Sequence, residues 1–227
     1  MNGFNSTFTR RSLAPLTLAA LAAPAFARDD TPQPLALASG FPQMPTGGTG
    51  VTPCGSANPP AVIPSFGRIA PESEPGEPIE VSGVVYRPDR RTPAAGICLF
   101  AYHTDAQGDY NHPNSPFKPR LYAWVRTDAQ GRYGFRTIKP GPYPAHDTPR
   151  HIHVSVFGPD LPEYWLDDYW FAGDLLITPS ERAKLTGRGG GGETLRMEPG
   201  TGGVLHGHRD IVLQHVAVSG NCRVLRA

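Results

Sequence analysis

An all-β fold is predicted, and three observations predict it. Glycine and proline each occur 26 times among 227 residues, well above ordinary use, which favours strands joined by many turns over helices. Runs rich in β-branched and aromatic residues recur from residue 79 onward, separated by Asp/Gly turn signals. The hydrophobic fraction of 39% suits one packed domain of this length. The net charge is +1 and only 18% of residues are charged. With no basic stripe, nucleic acid is excluded as the expected partner.

The N-terminus reads as an export signal over residues 1–27. Thr9-Arg10-Arg11-Ser12-Leu13 opens an alanine/leucine run to Ala23, and Ala25-Phe26-Ala27 supplies a small-residue cleavage site. The twin arginines favour the route that carries folded cargo, which suits a protein that takes up its cofactor before export. An ordinary secretory signal with two adjacent arginines is the alternative. The apolar run is short for a bilayer and contains Pro15, and no later stretch is long and apolar enough for a membrane anchor. The expected destination is the periplasm or the cell exterior. Residues 28–78, dominated by Pro, Gly, Ser, Thr and Ala, read as an extended arm, with Phe41, Val62, Ile63 and Phe66 available to lie on the domain.

The domain proper is expected over 79–227. Ile79 to Tyr86 is β-rich and ends at Pro88-Asp89, and Ile97 to His103 is a second strand. A short echo follows. Thr-Asp-Ala-Gln-Gly occurs at 104–108 and again at 127–131, each with a tyrosine two residues on, which is one turn chemistry used twice rather than a structural repeat. Tyr133 opens Tyr133-Gly134-Phe135-Arg136-Thr137-Ile138 and reads as a core residue. Tyr110 leads into a polar loop, Asn111 to Pro116, and is free to do something other than pack, although pattern alone favours a packing residue. The aromatics Tyr164, Trp165, Tyr169, Trp170 and Phe171 read as core or pocket wall. Thr178-Pro179-Ser180-Glu181 reads as the start of a helix over Arg182 to Leu185. Gly187 to Gly192 is a flexible loop without the lysine of a phosphate-binding loop. Val204 to Val218 holds the closing strands. His206-Gly207-His208 lacks a nearby phenol and reads as structural. Cys98 is a core residue, whereas Cys54 and Cys222 flank the domain and can pair in an oxidising compartment. No Cys-x-x-Cys occurs, which counts against a thiolate zinc site.

The centre of the chain is Lys139 to Val156. Tyr143 lies between Pro142 and Pro144, and His151-Ile152-His153 opens an apolar run. On a strand, residues two apart share a face, so both imidazoles point one way and Ile152 the other. Two imidazoles on one face and a phenol on a stiff loop make most of a metal site.

On these residues the chain resembles the intradiol ring-cleavage dioxygenases, the family of the protocatechuate 3,4-dioxygenase β subunit and the catechol 1,2-dioxygenases. The resemblance runs from about Ile79 to Leu213. It is carried by Gly108-Asp109-Tyr110, Tyr133 to Pro144, Pro149-Arg150-His151-Ile152-His153 and Phe171-Ala172-Gly173-Asp174. It implies a β-sandwich with active-site loops at one edge and few short helices. It also implies Fe(III) held by Tyr110, Tyr143, His151 and His153. Hard phenolate oxygens suit ferric iron, and imidazoles fill the borderline positions. The implied partners are a catechol and O2, with no nucleic acid and no membrane span, and association with further copies of the chain is open. In the implied reaction the catechol chelates the ion, Tyr143 leaves and accepts a proton, and the ring opens between its hydroxylated carbons to a cis,cis-muconate-type diacid.

Two positions depart from the family pattern. Thr148 stands where relatives often have arginine, and Asp168 where they often have glutamine. Arg150 alternates to the face opposite the two histidines and does not replace the missing arginine. The loop from Tyr143 to His151 is short. The departure at Thr148 keeps open a metal-binding β-sandwich module that sequesters iron or catecholates without efficient turnover. A zinc or copper hydrolase built on His151, His153 and a third histidine such as His146 leaves both tyrosines unexplained.

Overall fold

The structure, a computed structural model, describes residues 59–112, 115–158, 161–191 and 194–215. Its strands are β1 (Phe66–Arg68), β2 (Pro78–Tyr86), β3 (Cys98–His103), β4 (Asn111–His112), β5 (Ser115–Pro119), β6 (Leu121–Arg126) and β7 (Arg132–Ile138). They continue with β8 (His151–Gly158), β9 (Leu161–Trp165), β10 (Tyr169–Phe171), β11 (Thr194–Leu195), β12 (Glu198–Pro199), β13 (Leu205–His208) and β14 (Ile211–Val212). One mixed sheet runs β1-β7-β2-β13-β12, with β14 also on β2. The other runs β11-β10-β8-β3-β6, with β9 also on β8, and β4 and β5 form a separate hairpin.

Alternation along the strands builds the core. Ile79, Val81 and Val85 of β2 and Tyr133 and Phe135 of β7 share one buried cluster with Leu99 and Ala101 of β3 and Ile152, Val154 and Val156 of β8. Each large apolar side chain buried this way contributes about 1.5–3 kcal/mol relative to exposure. This is the expected sandwich. The opposite face of the second sheet carries its own buried cluster, Cys98, Phe100, Tyr102, Trp124 and Phe157, with Tyr110 and Trp165 against it. Because Ile152 and Val154 face the sandwich core, His151 and His153 face outward, toward that second cluster.

Several expectations shift. Within the stretch read as an arm, Ile63, Ile69 and Ala70 are buried, and β1 pairs in parallel with β7, Phe66 opposite Gly134. A Cβ on Gly134 would stand 2.8 Å from the Phe66 ring, so glycine makes the room that lets this short strand join the sheet. The loop read as polar from Asn111 holds β4 and β5, paired by backbone bonds that need no hydrophobic pattern. The helix lies earlier than expected, at Pro179–Arg182, because Thr178 caps it by accepting from the Glu181 amide. Of the closing segment, β13 and β14 are strands and residues 216–218 lie outside the described ones. Cys54, Cys222, Phe41 and residues 1–27 also lie outside them. Cys98 is buried with a free thiol. No helix among the described residues is long and apolar enough to cross a membrane.

Candidate metal centre

Two loops and one strand bring the site together. The first loop follows β3. Asp105 Oδ1 accepts from the amides of Gln107 and Asp109, both at 3.0 Å, and Gly108 completes the turn at φ +92°. Asp128 does the same in the echo, accepting from Gln130 and Arg132 at 2.9 Å, with Gly131 at φ +72°. The two turns are therefore the same device, as their sequences suggest. What differs is what each glycine meets. A Cβ on Gly108 would stand 1.8 Å from the Pro142 carbonyl oxygen, whereas one on Gly131 would meet the Val85 carbonyl and Pro93.

The loop carrying Tyr110 thus lies backbone to backbone on the loop carrying Tyr143. Gly141 N donates to Asp105 O at 2.8 Å, and Thr104 Oγ1 donates to Gly141 O at 3.1 Å. On its far side the Tyr110 carbonyl accepts from Arg120 N. The Arg120 guanidinium holds Glu74 with two bonds of 2.7 Å, so the segment before β2 also braces the site.

The strand contributes the histidines. Asp174, of the Phe-Ala-Gly-Asp run, accepts from Arg150 N at 2.9 Å and Leu176 N at 3.0 Å and fixes the entry to β8. Arg150 also reaches Asp174 through Nη1 at 3.3 Å, as expected for a side chain turned from the histidine face. Thr148 Oγ1 bonds Asp147.

All four sequence-designated residues converge. Tyr110 Oη lies 2.7 Å from Tyr143 Oη and 3.2 Å from His153 Nε2. Tyr143 Oη lies 3.2 Å from His153 Nε2 and 3.1 Å from His151 Nε2. The two Nε2 atoms are 3.0 Å apart. Four ligands held tetrahedrally at ordinary metal–nitrogen distances of about 2.0–2.1 Å stand about 3.3 Å from one another. The cluster has nearly that spacing. Tyr133, by contrast, is buried in the core and bonds Tyr169 Oη at 2.8 Å and Arg209 O at 2.7 Å. The echo tyrosines thus stand in different surroundings, Tyr110 beside Tyr143 and His153 and Tyr133 in the core.

Ring supports set which nitrogen faces the centre. His151 Nδ1 lies 2.6 Å from the Pro149 carbonyl, which can only accept, so the proton is on Nδ1 and the lone pair on Nε2. His153 Nδ1 lies 2.8 Å from Asp168 Oδ1. Burial first, and the neighbouring His153 second, pull His151 down to about 4, so it is neutral near pH 7. Burial pushes both Tyr110 and Tyr143 above the ordinary phenol value. Without a cation the cluster holds two protonated phenols and the lone pair of the neutral His151. A bound cation inverts that preference, favouring the phenolates. Two hard anionic oxygens and two imidazoles fit ferric iron.

One side chain against the cluster, Tyr102, escaped the sequence reading, and Trp165 was read there only as core or pocket wall. Tyr102 packs on His153 with ring centroids 4.6 Å apart, and Trp165 stands edge-on to Tyr102 at 5.7 Å. Both lie on the outer face of the second sheet: alternation from Leu99 and Ala101 places Tyr102 there, and Trp165 is placed by its pairing with Ser155. Tyr164, Tyr169, Trp170 and Phe171 are buried, so the aromatic run serves packing more than a pocket. His146 is exposed. The one group of His, Cys, Asp and Glu ligating atoms found among the described residues is His151, His153 and Asp168, and the hydrolase reading loses its third histidine. His206 and His208 go to separate carboxylates, Glu80 at 3.5 Å and Asp210 at 3.0 Å. His206 also lines a cavity of about 290 Å³ on the first sheet with Glu80, Arg136 and Thr201.

Comparison with known proteins gives concordant results. The Dioxygenase family model matches residues 65–188. The chain is 34% identical over 113 residues to the protocatechuate 3,4-dioxygenase beta chain of Burkholderia cepacia, covering 45% of this chain and 48% of that one. It is 28% identical over 143 residues to catechol 1,2-dioxygenase 2 of Acinetobacter lwoffii, covering 51% and 52%. The chain spans about half the length of these curated relatives. Among solved structures, it resembles the dioxygenase domain of a dioxygenase carbohydrate-binding protein fusion from Streptomyces sp. SirexAA-E, with a TM-score of 0.50, 25% identity and 72% and 97% of the two chains covered. Catechol 1,2-dioxygenase from Acinetobacter sp. ADP1 shares the fold, with a TM-score of 0.53, 19% identity and 69% and 60% coverage.

Proposed function

The chain belongs to the intradiol dioxygenase family, and from that premise we propose that it is an exported enzyme holding Fe(III) on Tyr110, Tyr143, His151 and His153. Its reaction is cleavage of a catechol ring between the two hydroxylated carbons, with O2, to a cis,cis-muconate-type diacid. The observation that carries this reading is the convergence of two phenolic oxygens and two imidazole Nε2 atoms, five of whose six pairs lie 2.7–3.2 Å apart. Export rests on the N-terminal signal over residues 1–27.

A ferric ion, when bound, supplies a Lewis acid that acidifies a chelated catechol and prepares its ring for O2. The chain's own groups do the rest. His151, held neutral by burial, presents a fixed Nε2 lone pair, and the His153 Nε2 atom stands 3.0 Å from it. Tyr110 is braced on Tyr102, their ring centroids 6.0 Å apart, and suits a permanent ligand. Tyr143 sits on the proline-flanked outer loop and is only partly buried. It is the phenol placed to give way to an incoming catechol and to accept a hydroxyl proton. Tyr102 and Trp165 form an aromatic wall beside His153 that suits a flat ring.

The test is colour followed by oxygen uptake. Tyrosinate bound to Fe(III) makes the purified protein red-brown, an anaerobic catechol shifts the band, and admission of air consumes one O2 per ring opened. A colourless zinc protein would overturn the iron reading. A coloured protein that binds catechols and consumes no O2 would favour the sequestering module. That second reading draws on Thr148, bonded to Asp147, and Arg150, tied to Asp174, neither of which brings a cation to a bound ring.

A further inference from the structure

We propose that Asp168 is a positioning residue for the metal centre: it accepts the Nδ1 proton of His153 and so holds this imidazole with its Nε2 lone pair on the tyrosine oxygens. The inference rests on the four-donor reading above. It assigns a role to a residue that departs from the glutamine the family often carries there.

The register of the second sheet places Asp168. On β8, β9 pairs Ser155 with Trp165, whereas β10 pairs Ile152 with Tyr169 and His151 with Trp170. The sums of paired numbers differ by one between the two strands, so the chain gains a residue in the break over 166–168. Extending the β10 register by one step puts Asp168 across from His153. The contact agrees, with Asp168 Oδ1 at 2.8 Å from His153 Nδ1. Asp168 therefore meets the nitrogen on the far side of the ring from the Nε2 pole and is not itself a fifth donor.

The two histidines are thus supported differently. His151 donates to a backbone carbonyl, which no side-chain substitution removes, whereas His153 depends on a carboxylate. A carboxylate on the distal nitrogen fixes the ring and strengthens the other nitrogen as a donor, and loss of such a partner ordinarily costs about 10–100-fold in metal affinity. Arg209 reinforces the arrangement. It is buried, lies 4.0 Å over the Tyr169 ring and donates to Asp167 O at 2.9 Å, which pins the break beside Asp168.

The experiment compares wild type, Asp168→Asn and Asp168→Ala by two readouts. Nitrogen-15 NMR of the metal-free protein reports the His153 tautomer without iron. Fe(III) titration followed at the charge-transfer band reports affinity and ligand strength. Wild type is expected to carry the His153 proton on Nδ1. The alanine variant should populate the other tautomer, lose about 10–100-fold in iron affinity and show a displaced band, while His151 keeps its Nδ1 proton. The asparagine variant, which retains an acceptor oxygen, should recover the tautomer and part of the affinity. If all three proteins share one His153 tautomer, or if the alanine variant binds iron as wild type does, the role assigned to Asp168 is wrong. A wild type with the Nδ1 proton but no colour with iron would instead remove the four-donor reading and leave the Asp168–His153 pair standing.

Discussion

Replacing Gly108 with alanine should break the metal centre without touching any of its donors. At φ +92° a residue with a Cβ carries strain of about 1–2 kcal/mol. The new methyl would also start 1.8 Å from the Pro142 carbonyl oxygen, where contacts under 3.0 Å essentially never occur. The two loops must separate by about 1.2 Å, and overpacking of this kind costs about 1–3 kcal/mol more. The total, about 2–5 kcal/mol, is a large share of the stability of a domain. A displacement near 1 Å between Tyr110 and Tyr143 is also enough to cost about 100-fold in a catalytic geometry. Gly96→Ala is the control. Its φ is +75° and nothing lies within 4 Å of the added Cβ, so only the conformational strain applies. Urea unfolding and iron stoichiometry of both variants decide the matter. The Gly108 variant should lose more stability than the control and most of its iron. Equal losses, with colour retained in both, would refute the claim that backbone contact between the loops aligns the phenols.

Three further outcomes follow from other contacts. Tyr110→Phe should weaken and shift the charge-transfer band, leaving only Tyr143 to supply it, with little change in urea midpoint. Tyr133→Phe should keep the band and lose about 1–3 kcal/mol, because the buried Arg209 carbonyl and Tyr169 hydroxyl lose their partner; identical behaviour of the two variants would contradict their separate roles. His103 is buried between the Thr104 carbonyl and Thr137 Oγ1, each at 2.6 Å, and burial lowers it to about 4. The unfolded chain takes up this proton from about pH 6.5, the folded one only near 4, so stability should be full above pH 6.5 and fall as the pH drops through that window. One such group accounts for up to about 3 kcal/mol, and a urea series from pH 7 to pH 4 on wild type and His103→Asn should show the slope lessened in the variant. Asp174→Ala should loosen the start of β8 by leaving the Arg150 and Leu176 amides without an acceptor. Faster hydrogen exchange at Arg150 and Leu176, with weaker iron binding, is the expected readout.

Local patterns in the sequence determined much of this protein. Alternation in Ile79 to Tyr86 and His151 to Val156 is a property of consecutive residues. It sorted Ile152 inward and the two histidines together without any knowledge of what lay opposite. The Asp-x-x-Gly turns were equally local, since Asp105 and Asp128 each bond amides two and four residues on. The short strands β1, β4 and β5 were not legible, because backbone pairing holds them and leaves little mark on side-chain pattern.

Tertiary structure decided the rest. The two echo turns are chemically alike, and only the partner of each glycine, Pro142 for Gly108 and Val85 for Gly131, makes one a site and the other a corner of the core. The role of Asp168 likewise depends on one extra residue in the chain between β9 and β10. Sequence states which groups are available, but the meeting of a carboxylate and an imidazole 15 positions apart is set by strand register, which is a property of the folded sheet.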